Sequence, residues 1–361
     1  MNILVQPGYR SNITLKKILS GISDSASEQL KCYISEEEID NDEKIAVILG
    51  VDKEWEKNIC IRLANKQIHP IVVFPSGDVS ALPYSFITTD DFYTFSDLVT
   101  ILEPYSKKGI VLAGFNPSSS TDITKLKGFR HGLSLCKKDF KDEYVYESND
   151  NISECIQNLI SDKDKFDTII CVNDISALLT CSMLPDIQNY NITGFNGMLC
   201  TKYCNPKITT IGIDYYSLGC AVVEAYNSLR KNSFMLKQSF YIKSKLICGE
   251  TTPCLKDDSL YSIKPQDVSS YSKPLKVYDD STVKELDSIE TLLQQSDETD
   301  LKILKLLAMG KKYEEISAET FLSITPLKYR INKMLKNSGF GKKTELTDIL
   351  EKYGIFQNSD I

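Results

Sequence analysis

Six basic residues lie in one short segment near the end of the chain, and that segment contains no acidic residue. They lie between Ser323 and Thr344 and are Lys328, Arg330, Lys333, Lys336, Lys342 and Lys343. Because the chain as a whole carries a formal net charge of −7, this segment is basic within an acidic protein. A local run of lysine and arginine is suited to the phosphates of duplex DNA. The alternative is a solvated helix face, which many charge runs form.

The elements that must position these residues are short helices. Apolar residues at helical spacing predict four of them, covering residues 301–308, 313–321, 324–337 and 344–353. Ser323 stands at the N-cap position of the third helix, and Pro326 lies in its first turn, where a missing N–H is harmless. Two short helices joined by a tight turn, the second of them basic on its outer side, are typical of a helix-turn-helix.

The same stretch resembles the LuxR-type (GerE) DNA-binding domain, a four-helix module that reads DNA as a dimer. The matching residues run without gaps and are Leu304, Leu307, Ala308, Gly310, Lys311, 315–317, 321–323, Leu327, Lys328, 334–336, Gly339, Phe340 and 343–346. Two departures concern Pro326, which replaces the usual threonine at the helix start, and Thr320, which replaces a core leucine. The first of these can alter how the third helix begins.

The resemblance implies that the third helix enters the major groove of double-stranded DNA. The positions that face the groove fall on Lys328, Tyr329 and Asn332, and Arg330 lies on the same basic helix. The residues expected to contact phosphates are Lys333, Lys336 and Lys343.

Length and composition exclude several other classes of protein. A chain of 361 residues can hold two or three domains, and 42% hydrophobic and 25% charged residues are ordinary for a soluble globular protein. No apolar run approaches a membrane span, and the first residues lack the basic region of a signal peptide. The eleven cysteines are scattered and odd in number, which favours reduced thiols. We therefore expect a cytoplasmic protein without a membrane partner.

The sequence predicts no catalytic set. Cys200 and Cys204 are the one close cysteine pair, and a zinc site would need two more ligands nearby. His69 and His131 are not close to that pair in sequence, and neither has a nucleophile at an interpretable spacing. We therefore expect neither an enzyme nor a metal or cofactor site.

The first 250 residues alternate between apolar strands and helices. Predicted strands include 3–5, 45–49, 71–74, 110–114, 168–172 and 191–195, and amphipathic helices separate them. Continuous apolar strands with helices between them are typical of parallel sheets that are covered on both faces. The alternation restarts after residue 115, so the sequence predicts two α/β units. Such a layout places a ligand at the carboxyl ends of the strands.

Several short blocks carry a further resemblance through their order and spacing. They are residues 47–49 with 68–72, 110–114 with 128–130, 171–178, 192–196, and 209–211 with 218–219. Together they resemble the effector-binding domain of the LacI family, which has a two-lobed, periplasmic-binding-protein-like fold. By that resemblance one lobe comprises residues 1–115 and 213–234, and the other comprises 117–212 and 236–255. Three crossings between the lobes would form a hinge.

The domain boundaries follow from these two resemblances. Residues 1–252 form the predicted effector-binding domain, and residues 296–357 form the predicted DNA-binding domain. Between them, residues 253–295 are read as a linker that ends in a coupling helix, because Leu286, Ile289 and Leu293 have helical spacing. This order is inverted relative to the LacI family, in which the DNA-binding part comes first.

The LacI resemblance also implies ligand-binding positions. Sugar binders of this fold use an aromatic residue, an arginine, an asparagine and an aspartate, which fall on Tyr9, Lys125, Asn173 and Asn196. Phe74 stands where ribose-type binders carry a charged residue. Lysine lacks the planar fork of arginine, and Asn196 lacks the aspartate charge. The alternatives are a rim aromatic for Tyr9, a surface lysine for Lys125 and a helix cap for Asn173.

The sequence therefore predicts a ligand-responsive transcription regulator that binds DNA as a homodimer. A small polar, sugar-like effector would bind between the lobes and control the helix-turn-helix. The alternative is a regulator whose sensor-like domain has lost its small ligand and acts as a dimerisation or protein-docking platform.

Overall fold

The computed structural model describes residues 1–8, 13–39, 43–50, 52–75, 82–149, 151–232, 236–255 and 281–356. The chain divides into two compact units. Unit 1 contains Met1–Thr94, Ser119–Lys125 and Ile213–Ser244, and unit 2 contains Phe95–Ser118, Leu126–Gly212 and Lys245–Ile361. Tyr9 and linker residues 256–280 lie outside the described residues.

The strands and helices alternate through the first 250 residues. The strands are β1 (Asn2–Val5), β2 (Lys31–Tyr33), β3 (Ile45–Leu49), β4 (His69–Val73), β5 (Ser85–Thr89), β6 (Ile110–Phe115), β7 (Val145–Glu147), β8 (Thr168–Cys171), β9 (Asn191–Asn196), β10 (Thr209–Ile213), β11 (Ser239–Ile242) and β12 (Ser244–Ile247). The helices among them are α1 (Ile13–Ser25), α2 (Lys53–Asn65), α3 (Asp91–Leu102), α4 (Ser120–Leu135), α5 (Ile152–Ser161), α6 (Asp174–Met183), α7 (Cys200–Tyr203) and α8 (Tyr215–Lys231).

The C-terminal region is helical. It consists of α9 (Ser281–Gln295), α10 (Glu298–Ala308), α11 (Tyr313–Thr320), α12 (Ile324–Ser338) and α13 (Lys343–Lys352). Gly310 and Gly339 have positive φ angles and follow α10 and α12, as their positions in the sequence indicate. Ser323 occupies the N-cap position of α12, although its side chain makes no capping hydrogen bond.

Unit 1 is built on a six-stranded sheet in the order β11-β5-β4-β3-β1-β2. Every neighbouring pair of strands is parallel, with Ile3 beside Val47 and Val72 beside Phe86, for example. The residues of β1 and β3 are all buried, because continuous apolar strands are covered on both faces. All these strands end at one edge of the sheet, where open α/β sheets bind ligands.

Helices α1 and α8 of unit 1 pack with their backbones in close contact. A Cβ atom on Gly21 would lie 2.1 Å from the Tyr216 carbonyl oxygen, and one on Gly219 would lie 2.2 Å from that of Ile18. Only glycine permits this approach. Leu15, Ile18 and Ile22 of α1 are buried.

Unit 2 has a second six-stranded sheet in the order β12-β10-β9-β8-β6-β7. The β10–β9, β9–β8, β8–β6 and β6–β7 pairs are parallel. The predicted fold class, two parallel-sheet α/β lobes followed by a helical region, is confirmed. The sequence prediction did not include β11 or the short helix α7.

The C-terminal helices share one apolar core with the second sheet. Buried residues of α9, including Leu286 and Ile289, belong to the same cluster as Ile192 of β9 and Ile331 of α12. At the end of the described chain, the Phe356 backbone N–H donates to the Tyr203 carbonyl oxygen at 2.8 Å, and the two rings lie 5.2 Å apart. Within the described ranges, no helix has both the length and the apolarity that a membrane crossing requires.

Candidate functional site

A cavity of about 300 Å³ lies at the carboxyl edge of the sheet in unit 1. Its lining residues come from the segment after β4, from β5 and the residue that follows it, from β11, and from the beginnings of α3 and α4. They are Pro75, Thr88, Thr89, Asp90, Asp91, Phe92, Tyr93, Ser120, Thr121, Thr124 and Tyr241. Hydroxyl groups, carboxylates and aromatic rings can together hold a polar molecule that has an apolar face. The cavity therefore has the chemistry of a site for a small polar ligand.

Phe74 lies beside this cavity. It directly follows β4, its φ angle is +56°, and its backbone N–H donates to the Ile87 carbonyl oxygen at 2.8 Å. Its half-buried ring packs edge-on against Tyr215, with 5.8 Å between the ring centroids. The next residue, Pro75, lines the cavity, whereas Phe74 does not. Tyr9, the other aromatic candidate, cannot be placed because it lies outside the described residues.

Lys125 is buried and is directed at carboxylates of the protein. Its Nζ atom lies 3.3 Å from Oδ1 of Asp122, three residues earlier in α4. Burial raises the pKa of nearby Asp91, while the Lys125 charge and a 2.6 Å hydrogen bond from Thr89 oppose that rise. The surface-lysine alternative for Lys125 is therefore wrong, because the side chain belongs to a buried charged group beneath the cavity.

In unit 2, Asn173 and Asn196 lie at the carboxyl ends of two neighbouring strands. Asn173 caps α6, with its Oδ1 atom accepting from the Ser176 N–H at 2.8 Å and from the Ser176 hydroxyl at 3.0 Å. These two hydrogen bonds engage the amide oxygen of Asn173, which therefore stabilises the start of α6. Asn196 ends β9 with a φ angle of +110° and is half-buried.

Asp174 is fully buried next to that cap. Its carboxylate accepts from the Thr210 hydroxyl at 2.5 Å and from the Met198 N–H at 2.7 Å. A Cβ atom on Gly194 would lie 2.1 Å from Asp174 Oδ1, so β9 passes too close for a larger residue. Burial raises the pKa of Asp174 to about 8. The first turn of α6 is thus hydrogen-bonded to the segment that follows β9.

The C-terminal helices contain a separate candidate surface on α12. Helix α11 and α12 are joined by three residues, 321–323, and α12 buries Leu327, Ile331 and Met334. The exposed residues of α12 include Lys328, Tyr329, Asn332, Lys333 and Lys336. Tyr329 is 71% exposed although it is aromatic. An exposed basic face with an aromatic side chain fits a polyanionic partner.

Arg330 differs from the lysines of α12 because it contacts acidic residues of α10. One of its terminal nitrogens lies 2.8 Å from Asp297 Oδ2 and 2.7 Å from Asp300 Oδ1. These hydrogen bonds lower the pKa of Asp297 and raise that of Arg330. Arg330 therefore braces α12 against the start of α10, a role that sequence reasoning missed.

Two lysines of the basic segment meet over one aromatic ring. The Nζ atom of Lys343 lies 4.8 Å from the centre of the Tyr313 ring, and that of Lys328 lies 5.8 Å from it. Such cation–π contacts fix the direction of long side chains. Tyr313, in α11, thus gathers cations from α12 and α13 at one place.

No metal centre is found in the part of the chain that the structure describes, where no group of His, Cys, Asp or Glu could hold an ion. His69 Nε2 lies 2.8 Å from the Ser85 hydroxyl, and His131 Nδ1 lies 2.9 Å from the Ser96 hydroxyl. Burial lowers the pKa of His69 and raises those of Cys171 and Cys200, which favours the neutral forms of these residues.

Solved structures of transcription regulators have the same fold. The regulator CcpA of Lactococcus lactis is 14% identical in sequence and superposes with a TM-score of 0.54. The matched region covers 69% of this chain and 98% of the CcpA chain. A LacI-family regulator from Enterococcus faecium with bound ribose is 15% identical, covers 71% and 100% respectively, and has a TM-score of 0.53. The chain has a LacI-type, periplasmic-binding-protein-like fold. At these identities the likeness extends to the fold alone.

One sequence relative is an HTH-type transcriptional regulator from Lachnoclostridium phytofermentans. It is 23% identical over 130 residues, which are 34% of this chain and 39% of the relative. The match thus spans well under two thirds of that relative's length. No family model matches the chain.

Sequence reasoning missed the lining of the cavity in unit 1. The signal that could have found it is the polar run Thr88-Thr89-Asp90-Asp91 directly after an apolar strand, at the edge where ligands bind. It also missed Glu290, which is buried in α9, because nothing local distinguishes it from a solvated glutamate.

Proposed function

We propose that this protein is a cytoplasmic, ligand-responsive transcription regulator that binds double-stranded DNA through a LuxR-type helix-turn-helix formed by α10 to α13. The observation that carries the proposal is the exposed basic face of α12, which directly follows a three-residue turn after α11. Such a helix is the element that enters the major groove in helix-turn-helix proteins.

The DNA-binding residues fall into two groups. Lys328, Tyr329 and Asn332 would face the base edges, and Lys333, Lys336 and Lys343 would contact phosphates. Arg330 would act mainly through the fold, since its guanidinium is held by Asp297 and Asp300. The LuxR resemblance supports this assignment, and the HTH-type relative supports a DNA-binding regulator in general.

The proposed effector is a small polar molecule, sugar-like in chemistry, bound at the carboxyl ends of the strands. In unit 1 the cavity beside Phe74 offers threonine hydroxyls and the carboxylate of Asp90. Lys125, also in unit 1, would act through Asp91 and Asp122. Separately, the candidate ligand groups in unit 2 are the amides of Asn173 and Asn196. The structural neighbour with bound ribose supports a ligand of this class.

Fluorescence anisotropy with a labelled duplex at increasing salt tests the DNA-binding part. A protein that contacts several phosphates loses affinity steeply as salt increases, with a slope that reports the number of contacts. We expect Lys333→Glu combined with Lys336→Glu to abolish binding at physiological salt. Lys57→Glu, which reverses an exposed lysine on α2, is the matched control and should bind normally. The proposal would be contradicted if the unsubstituted protein, the double variant and the Lys57→Glu variant bound the duplex with equal affinity. Binding that does not depend on salt would also contradict it.

A second candidate function is that the sensor-like fold has lost its small ligand and serves as a dimerisation or protein-docking platform. The observation that favours it is the internal engagement of Lys125 and Asn173, which bond to Asp122 and Ser176. A thermal-shift screen against sugars and related metabolites separates the two candidates. Stabilisation by a sugar supports an effector, and a tight dimer stabilised by no compound supports docking.

We further propose that the protein acts as a homodimer, because LuxR-type modules read DNA as dimers. Light scattering on the purified chain, alone and with duplex DNA, measures this directly. A monomer under both conditions would contradict it.

A further inference from the structure

The segment that follows β9 is held by two buried carboxylates. The Met198 N–H donates to Asp174 Oδ2 at 2.7 Å, the Leu199 N–H to Glu290 Oε1 at 2.9 Å, and the Cys200 N–H to Glu290 Oε2 at 3.0 Å. Three successive backbone donors thus point at carboxylates from two different helices. Asp174 belongs to the α/β fold, whereas Glu290 belongs to α9 of the C-terminal region.

Glu290 is an unusual residue for a helix that packs between the second sheet and the C-terminal helices. Its side chain is fully buried, and its third hydrogen bond comes from Gln294 Nε2 at 2.6 Å. Among the described residues, no lysine or arginine forms an ion pair with it. A buried carboxylate without a cation is destabilising unless several donors satisfy it. Leu199 and Cys200 supply two of those donors, so Glu290 fits only while the segment keeps its present position.

The same segment begins at a proposed effector contact. Asn196 immediately precedes residues 197–200, and Asn173 immediately precedes Asp174. Thr210 of β10 completes the connection, since its hydroxyl donates to Asp174 at 2.5 Å and accepts from the Gly197 N–H at 3.2 Å. A displacement of either asparagine would therefore change the geometry of the hydrogen bonds that residues 197–200 make.

On its other side, α9 is joined to the DNA-binding candidates. It packs against α12 within the shared apolar core. A separate contact joins α9 to the end of α13, where Glu285 accepts from Lys352 Nζ at 2.7 Å and from the Tyr353 hydroxyl at 3.0 Å. After α9, Asp297 caps α10 and bonds to Arg330 of α12. A movement of α9 would therefore carry α12 with it.

We infer that Glu290 is the positioning residue through which the segment after β9 sets the placement of α9 and hence of the DNA-reading helix α12. This inference rests on the proposed function and names how the effector region would regulate it. Two directional hydrogen bonds fix α9 to the segment more strictly than apolar contacts do, because such bonds weaken steeply when donor and acceptor misalign. The coupled element is identified by contact, and its energetic coupling is what the experiment measures.

A double-mutant cycle on the full chain, read by hydrogen exchange and mass spectrometry, tests the inference without using DNA. Thr210→Val perturbs the segment from the α/β side, and Glu290→Gln perturbs it from the α9 side. We expect Thr210→Val to speed exchange in peptides of α9 and α12 by about tenfold, the factor expected when one buried hydrogen bond is lost. In the Glu290→Gln background, the same substitution should add less than about twofold, since the connection is already broken.

Glu285→Gln is the matched control, because it changes a carboxylate of the same helix that contacts α13 instead of the segment. In its background, Thr210→Val should keep its full effect on α12. If Glu290→Gln does not fold, Glu290→Asp takes its place, because it keeps the charge and shortens the reach by one methylene. A Thr210→Val effect on α12 that is absent, or that persists undiminished without Glu290, would overturn the inference. If the unsubstituted protein does not bind DNA at all, the proposed function is refuted, but the hydrogen-exchange result still tests the coupling through Glu290.

Discussion

The two predicted recognition regions differ in what their polar side chains contact. At the sheet edges, Lys125 bonds to Asp122 and Asn173 bonds to Ser176, so these groups stabilise the fold. On α12, Lys333 and Lys336 face solvent, where they contribute little to stability and remain available to a partner. The difference teaches that residue type alone does not identify a binding group. Burial and internal partners decide whether a charge serves the fold or the partner.

The strongest test of this comparison is Lys125→Met against Lys333→Met. The first substitution leaves Asp122 and Asp91 buried without their cation and should lower the free energy of unfolding by about 3–5 kcal/mol. The second should change it by less than about 0.5 kcal/mol while weakening DNA binding. Urea denaturation and anisotropy measure the two effects. Equal stability of both variants would break the comparison.

The pH dependence of stability sharpens the comparison within unit 2. Burial raises the pKa of Asp174 to about 8, so the folded state keeps a proton that the unfolded chain releases near its ordinary value. Stability from this group is therefore present at low pH and is lost as pH rises toward 8, by at most about 1.4 kcal/mol per pH unit.

Urea denaturation between pH 5 and 8 should show this decline. Asp174→Asn should flatten it, whereas Asp348→Asn, an exposed carboxylate on α13, should not. Stability that rises over this range in the unmodified protein would contradict the assignment.

Arg330 allows a finer test because it shares α12 with exposed lysines such as Lys333. Arg330→Met removes its bonds to Asp297 and Asp300 and should lower the free energy of unfolding by about 1 kcal/mol, since the group is partly exposed. Its DNA affinity should fall less than that of Lys333→Met at equal salt. If the order of affinities is reversed, Arg330 is a direct DNA contact.

The smallest expected effect concerns Phe321, in the turn between α11 and α12. It is 93% exposed and has a φ angle of +57°, so neither its ring nor its backbone benefits the fold. Phe321→Gly should raise the free energy of unfolding by up to about 1 kcal/mol by relieving that conformation. Weaker DNA binding by the more stable variant would assign the ring to the recognition surface, and a loss of stability would contradict the expectation.

Much of the fold follows from local patterns. Helix α12 (Ile324–Ser338) differs by one residue from its predicted span of 324–337, because apolar spacing and terminal residues define such helices. Strand β11 was missed, since its four residues alternate between exposed and half-buried at the edge of a sheet. The LuxR assignment and the ligand residues remain predictions.

The roles of single polar residues were harder to predict because they depend on distant parts of the chain. Glu290 meets Leu199 and Cys200 about ninety residues away, and Arg330 meets Asp297 across two helices. Nothing in the local sequence distinguishes a glutamate that accepts two buried N–H groups from one that faces water. The charge run therefore predicted the exposed basic face of α12, but not that Arg330 differs from its neighbours in its contacts.

The contact between Phe356 and Tyr203 bears on how these C-terminal helices could be transferred to another protein. A chimera that joins these C-terminal helices to another α/β domain would also need the surface around α7 that Phe356 contacts. Without that surface, apolar side chains of the helices would be exposed to solvent. Exchange of such C-terminal helices between related proteins should consequently succeed only when the acceptor protein has a complementary apolar surface.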